Sequence, residues 1–203
     1  VTGGTGFVGG HFINMAITKK HEVYCLKRIN SIPKIPLKKN PNWVVGELDE
    51  IKAEDLDGID IVVHFASAGV SPQIETWEKL YYYNVFSLLK FLRAVSETNV
   101  KKIIIAGSYI EYGLSSNNYE FIPVDAALKP TTAYAASKAC GFDLAHAFCL
   151  KNKIPLVYKR IFSAYGDYQY KGNFWPSMKQ AAETGSDFPM TSGKQIRDFI
   201  PVY

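Results

Sequence analysis

Short apolar, β-branched runs alternate along this chain with longer stretches in which apolar residues return every third or fourth position. The short runs suit buried strands and the longer ones amphipathic helices, and their alternation predicts βαβ units around a parallel sheet. Residues 23–26, 43–45, 61–65, 102–106 and 156–161 are the strand candidates, each expected to be buried. Phe12, Ala16 and Ile17 mark a first helix. The recurrence of Trp77, Tyr81, Val85, Leu88, Leu92 and Val95 predicts a second, from about Ser71 to Thr98, with Pro72 in its first turn. A third should run from about Thr131 to Lys151, carrying Tyr134, Lys138, Phe142 and Ala145 along one side and ending before Asn152 and Pro155. Loops are expected at 29–42 and 114–130, and from Tyr165 onward the alternation weakens as Gly, Pro and aromatic residues accumulate.

Composition adds little to this picture but excludes several classes. With 203 residues, 47% of them hydrophobic, the chain can build a real core. Its net charge of +4 is spread out, with basic residues concentrated only between Lys19 and Lys39, so no nucleic-acid partner is expected. Cys25, Cys140 and Cys149 are an odd number without metal-site spacing, which suits small apolar packing in a reducing compartment, and a cytoplasmic location is expected. No apolar run approaches the length of a membrane span, so no membrane partner is expected. Val1 and Thr2 lead straight into glycines and the chain stops within an apolar run, so a truncated first strand and a fragment are expected.

"TGGTGFVGG" places Gly3, Gly6 and Gly9 three apart between a strand end and a helix start. Glycines there allow a sharp turn and close approach of a pyrophosphate, whose charge the free amides of the helix end stabilise. A glycine turn without a ligand shows the same spacing. After the next strand stand Lys27 and Arg28, where an acidic residue would bind a ribose 2′-hydroxyl; two cations fit a 2′-phosphate, so NADP(H) is expected over NAD(H).

"YAASK" sets Tyr134 and Lys138 four apart, on one face of a helix. An ammonium beside a phenol favours its ionised form, and this pair is expected to give an acid/base of useful pKa. Ser108 follows the apolar run "KKIIIAG" and belongs at the carboxyl edge of the sheet, where its hydroxyl can bind a substrate oxygen.

With these motifs in order, "GGTGFVG", "HFAS", "YYYNV", "GSYIEYG", "YAASK", "KRIFSAYG" and "RDFI", the whole chain resembles the extended short-chain dehydrogenase/reductase family, in its nucleotide-sugar epimerase, dehydratase and reductase branch. The resemblance implies an α/β fold, a Rossmann-type doubly wound parallel sheet over residues 1–164 with the beginning of a smaller substrate-binding lobe over 165–203. It implies a catalytic set of Ser108, Tyr134 and Lys138, with Lys138 also holding the nicotinamide ribose. It further implies cofactor contacts at Gly3, Thr5, Gly6, Phe7, Val8, Gly9, Lys27, Arg28, Glu47, Leu48, Phe65, Ala66 and Ser67, with Asn84 supporting the site. Substrate contacts are implied at Ser108, Ser163, Asn173 and Arg197, and a homodimer through the helices around 85–95 and 133–148.

Departures from the family pattern narrow the chemistry. Where dehydratases carry Asp-Glu after the catalytic hydroxyl, this chain has Tyr109 and Ile110, and Ile110 and Tyr168 replace the groups that epimerise carbons beside a keto group. Glu111 is similar to a feature of the 4-ketoreductases, and Ser163 stands where Asn is usual. The expected reaction is therefore NADP(H)-dependent reduction of a 4-keto nucleotide deoxysugar. The alternatives are an NAD-dependent C4 epimerase, which turnover without net cofactor consumption would reveal, and a non-catalytic dinucleotide sensor, which would need no proton donor.

Overall fold

The computed structural model describes residues 1–70 and 74–203. Five parallel strands form the main sheet: β1 (Tyr24–Lys27), β2 (Asn42–Val45), β3 (Ile61–His64), β4 (Lys102–Ser108) and β5 (Leu156–Ile161). Thr2 bridges Leu26 on one side and His64 on the other, its N–H donating to Val63 O at 2.9 Å while Leu26 N–H donates to Val1 O at 2.9 Å. Val1 and Thr2 thus lie between β1 and β3, and the spatial order is β2, β1, Thr2, β3, β4, β5. The winding reverses at Thr2, which opens a crevice outside the carboxyl ends of the neighbouring strands.

The predicted strands are all present, but their burial is uneven. β1, β3 and β4 carry buried residues, whereas β2 and β5 have none. The expectation of five buried strands is corrected for a simple reason: β2 and β5 are sheet edges, and an edge lacks one neighbour. Along β4, Ile103 and Ile105 point into the core and Ile104 and Ala106 to the other face, as the period of two demands.

Among the described residues five α-helices accompany the sheet: α1 (Phe7–Thr18), α2 (Trp77–Tyr81), α3 (Ser87–Ser96), α4 (Ala133–Lys151) and α5 (Phe174–Thr184). Ile13 and Ala16 of α1 pack with Val23 and Cys25. A larger core joins Val62, Ile103 and Ile105 to Leu88, Phe91, Leu92 and Val95 of α3 and Ala145 and Cys149 of α4. The single helix expected over 71–98 is two helices joined by a π-helical turn, Tyr82–Phe86; Ser71 and Pro72 lie outside the described residues. Thr132 caps α4 by accepting from Ala135 N–H at 3.2 Å. Gly141 brings α4 against that turn, because a Cβ there would lie 2.8 Å from Asn84 O.

The weak pattern after Tyr165 concealed α5 and a strand pair, β6 (Ser163–Tyr165) with β7 (Phe199–Pro201). The end signals of α5 were nonetheless in the sequence, with Asn173 as N-cap, Pro176 in the first turn and Gly185 in left-handed conformation after the last. No helix among the described residues is long and apolar enough to cross a membrane.

His64 illustrates what the sheet does to a polar residue. It is buried, its Nδ1 lies 2.8 Å from Thr2 Oγ1, and its ring stacks on Phe91. Burial, with the Lys138 charge adding to it, pushes its pKa from 6.5 down to about 3, so the ring is neutral. A base whose folded pKa is depressed contributes stability that is complete above its unfolded pKa and is lost as pH falls toward the folded one. Unfolding in urea should therefore show a loss on the order of 2 kcal/mol between neutrality and about pH 5, and His64→Leu should flatten that limb.

Candidate functional site

The glycine turn stands at the reversal point. Gly3 adopts φ +70°, and a Cβ on it would lie 2.5 Å from Ala66 N, so the turn presses directly on the chain leaving β3. Gly6 caps α1 and donates to Gly3 O at 3.0 Å; Gly9 abuts that same carbonyl. Phe7 and Val8 form the first turn of α1, where amides have no partner within the helix and face outward from its positive end. A side chain at Gly3 or Gly9 would run into main chain, so the turn closes this tightly only with glycines, and its free donors suit a pyrophosphate. Thr5 accepts from Lys34 N–H, tying the loop after β1 to the turn.

The 65–69 segment links this turn to α4. Phe65 packs on Phe12 of α1, with centroids 5.3 Å apart. Asn84, buried in the π-helical turn, accepts from Ala68 N–H at 2.8 Å and from Ser67 Oγ at 3.0 Å, and donates to Ala68 O and to Ser137 Oγ. The Ser67 hydroxyl is also near enough to the Tyr134 phenol to act on its ionisation. Tyr134 lies against Gly69, where a Cβ would come 3.2 Å from its ring.

One turn further along α4, Lys138 is buried and its Nζ donates to Ala106 O at 2.9 Å, two residues before Ser108 at the end of β4. Gly3, Ser67, Tyr134, Lys138 and Ser108 are thereby brought to one edge of the sheet by consecutive contacts. Ser137, which fixes Asn84 to α4, went unnoticed in the sequence because nothing local distinguishes it from any helical serine.

Burial pulls the Lys138 ammonium down from 10.5 to about 8, with Glu111 opposing. The Tyr134 phenol moves the other way from the sequence expectation. Its pKa is raised, by burial first and by the Glu111 charge, with the Ser67 hydroxyl opposing. The lysine was expected to dominate; instead desolvation does, because the phenol is taken from water while the nearest strong charge acting on it is a carboxylate.

The outer positions are spread more widely. Lys27 places its Nζ over the Trp43 ring at 5.1 Å from the centroid, and Arg28 is exposed beside it. Glu47 and Leu48 follow β2 in a short 3₁₀ turn, with Glu47 N–H donating to Glu50. Ser163 N–H donates to Asp198 O, which sets Arg197 next to β6. The Arg197 Nη1 donates to Tyr109 Oη at 3.3 Å, and Tyr109 stacks on Phe162, so Arg197 reaches back toward Ser108. Asn173 is the N-cap of α5, and no hydrogen bond among the described residues joins it to Arg197 or Ser108.

The profile of the NAD dependent epimerase/dehydratase family matches residues 1–203. The chain belongs to this family. Among relatives of the epimerase/dehydratase family, dTDP-D-glucose 4,6-dehydratase of Mus musculus is 29% identical over 215 residues, 98% of this chain and 60% of that protein. Protein CapI of Staphylococcus aureus is 26% identical over 182 residues, 83% of this chain and 54% of that protein. Of solved structures, TunA, an NAD-dependent NDP-hexosamine 5,6-dehydratase of tunicamycin biosynthesis, superposes with TM-score 0.87 at 26% identity, covering 99% of this chain and 66% of that one. The UDP-N-acetylglucosamine 4-epimerase of Methanobrevibacter ruminantium M1 gives 0.86 at 25% identity, over 99% and 67%. The chain thus spans between 54% and 67% of the length of these relatives. The Rossmann-type fold of the family is the one described above.

Proposed function

We propose that the protein containing this chain is an NAD(P)-dependent enzyme acting at C4 of a nucleotide sugar, and that its reaction is reduction of a 4-keto group. The observation that carries the reading is the Tyr134 phenol, set against Gly69 beside the 65–69 segment, kept protonated by burial, and one helical turn from the buried Lys138 that donates to Ala106 O. A phenol held in its acid form is prepared to give a proton to a carbonyl oxygen rather than to take one. Gly3, Gly6, Gly9 and the first turn of α1 would hold the dinucleotide, which when bound supplies the hydride. Ser108 orients the substrate oxygen, Tyr134 donates the proton, and Lys138 steadies the resulting phenolate. Arg197, carried by Tyr109, is suited to a diphosphate. Tyr109 and Ile110 offer no acid/base pair for eliminating water.

Lys27 and Arg28 support NADPH as the reductant. Changing both to Gln should weaken NADPH binding about ten-fold or more while leaving NADH binding nearly unchanged, as titration of cofactor fluorescence would show. Equal losses for the two cofactors would remove that role.

C4 epimerisation is the second reading, and the likeness to an epimerase of known structure favours it. Full-length protein incubated with NADPH and dTDP-4-keto-6-deoxyglucose should consume the cofactor if it is a reductase. Interconversion of UDP-glucose and UDP-galactose with NAD, without net change in nicotinamide absorbance, would establish the epimerase instead. Inactivity in both assays, with cofactor bound, would leave a sensor. A second copy docked on the helices around 85–95 and 133–148, beside the exposed Tyr82 and Phe86 of the π-helical turn, belongs to the same proposal.

A further inference from the structure

Behind Ser108 and Lys138 lies a buried ion pair that the proposed reaction does not use. Glu111, in the turn after β4, is 0% exposed. Its Oε2 accepts from Arg160 Nε at 2.8 Å, and its Oε1 accepts from the Ser108 main-chain N–H at 2.7 Å and from the Tyr158 hydroxyl at 2.9 Å. Tyr158 also lies 3.4 Å from Lys138 O. The Arg160 guanidinium is stacked over Phe142 at 4.3 Å and Tyr112 at 4.9 Å. Gly107 makes room for the arrangement, since a Cβ there would lie 2.8 Å from Glu111 Oε1 and closer still to the Tyr158 ring.

Burying two charges is expensive, and well-packed apolar residues of similar volume often serve stability as well or better. The placement of this pair therefore calls for a reason beyond folding. We propose that Glu111 is a positioning residue of the reaction: clamped by Arg160 and Tyr158, its carboxylate holds the Ser108 main chain and sets a fixed negative charge near the Lys138 ammonium. The inference rests on the assignment of Ser108, Tyr134 and Lys138 to the chemistry.

The surroundings of Lys138 leave this carboxylate as the charge that offsets its burial. Tyr134 on α4 and Tyr158 on β5 both have raised pKa values and stay neutral. His64 on β3 is neutral as well, and Arg160 on β5 is engaged with Glu111 and the aromatic rings. On α3, Lys90 pairs with Asp49 and Arg93 is exposed. Glu111 raises the proton affinity of Lys138 where burial lowers it.

The test is the titration of Lys138 in the full-length protein, followed by NMR of lysine side chains labelled at the ε position and assigned with Lys138→Met. Glu111→Gln should move the midpoint about one unit lower, because it removes the charge and keeps an acceptor for Ser108 N–H. With NADPH and dTDP-4-keto-6-deoxyglucose, kcat should fall about two-fold at pH 7 and about ten-fold near pH 9, and recover toward acid pH, with KM little changed. Glu111→Asp should restore both. Since Glu111→Gln leaves Arg160 without its partner, the double variant Glu111→Gln, Arg160→Met provides a second folded test and should show the same shift. An unmoved Lys138 midpoint in either folded variant overturns the proposal, as does failure of every variant to fold, which would make Glu111 a framework residue alone. If the midpoint moves while Tyr134→Phe keeps full turnover, the catalytic assignment fails and the electrostatic link survives.

Discussion

Tyr134→Phe should reduce turnover by about a thousand-fold while leaving the fold and dinucleotide binding intact, a magnitude typical of a lost proton donor. The ring keeps its place against Gly69, so only the hydroxyl disappears. Ser67 donates to Asn84 rather than to the phenol, which limits the cost in stability to about 1 kcal/mol. Single-turnover rates with NADPH and a 4-keto sugar nucleotide, beside a cofactor titration and a urea unfolding curve, separate these effects. Wild-type turnover in the variant would remove Tyr134 from the chemistry.

Gly3→Ala should be among the most damaging single methyls in the chain. The residue holds φ +70°, a conformation that costs a non-glycine residue about 1–3 kcal/mol, and its Cβ would meet the Ala66 main-chain nitrogen at 2.5 Å. Main chain cannot swing aside as a flexible side chain does, so the turn and the 65–69 segment must separate. We expect a total loss of roughly 3–5 kcal/mol and no measurable dinucleotide binding. Gly58 provides the control: it also has positive φ, +75°, but nothing lies within 4 Å of its added Cβ. Gly58→Ala should lose only the backbone strain, about 1 kcal/mol, with cofactor affinity unchanged. Equal behaviour of the two variants in urea would show that the close approach at Gly3 carries no weight.

Much of the framework was legible because its signals are local. The period of two in 102–106 and the three- and four-residue steps from Trp77 to Val95 follow from how strands and helices present side chains. Where a local signal was overlooked, as with Asn173, Pro176 and Gly185 around α5, the aromatic residues between them masked the period. The π-helical turn at Tyr82–Phe86 had no such signal. It places Asn84 among Ser67, Ala68 and Ser137, and those partners lie 17, 16 and 53 positions away.

The candidate site divides in the same way. Its members were named from spacing and from resemblance, and the fold brings Ser108, Tyr134 and Lys138 around the end of β4. Glu111 and Arg160 could each be seen as a charge among apolar neighbours, yet their pairing needed β4 and β5 side by side.

By itself, the amino-acid sequence determined the order of the strands and helices of the main sheet and the glycine turn, and it singled out the candidate acid/base side chains, since these depend on residue type and short-range periodicity. Only the tertiary structure decided the protonation of Tyr134, His64 and Lys138, the exposure of the edge strands and the charge standing behind Ser108. Those properties arise from desolvation and from charges near in space but distant along the chain, and neither is written in any short stretch of residues.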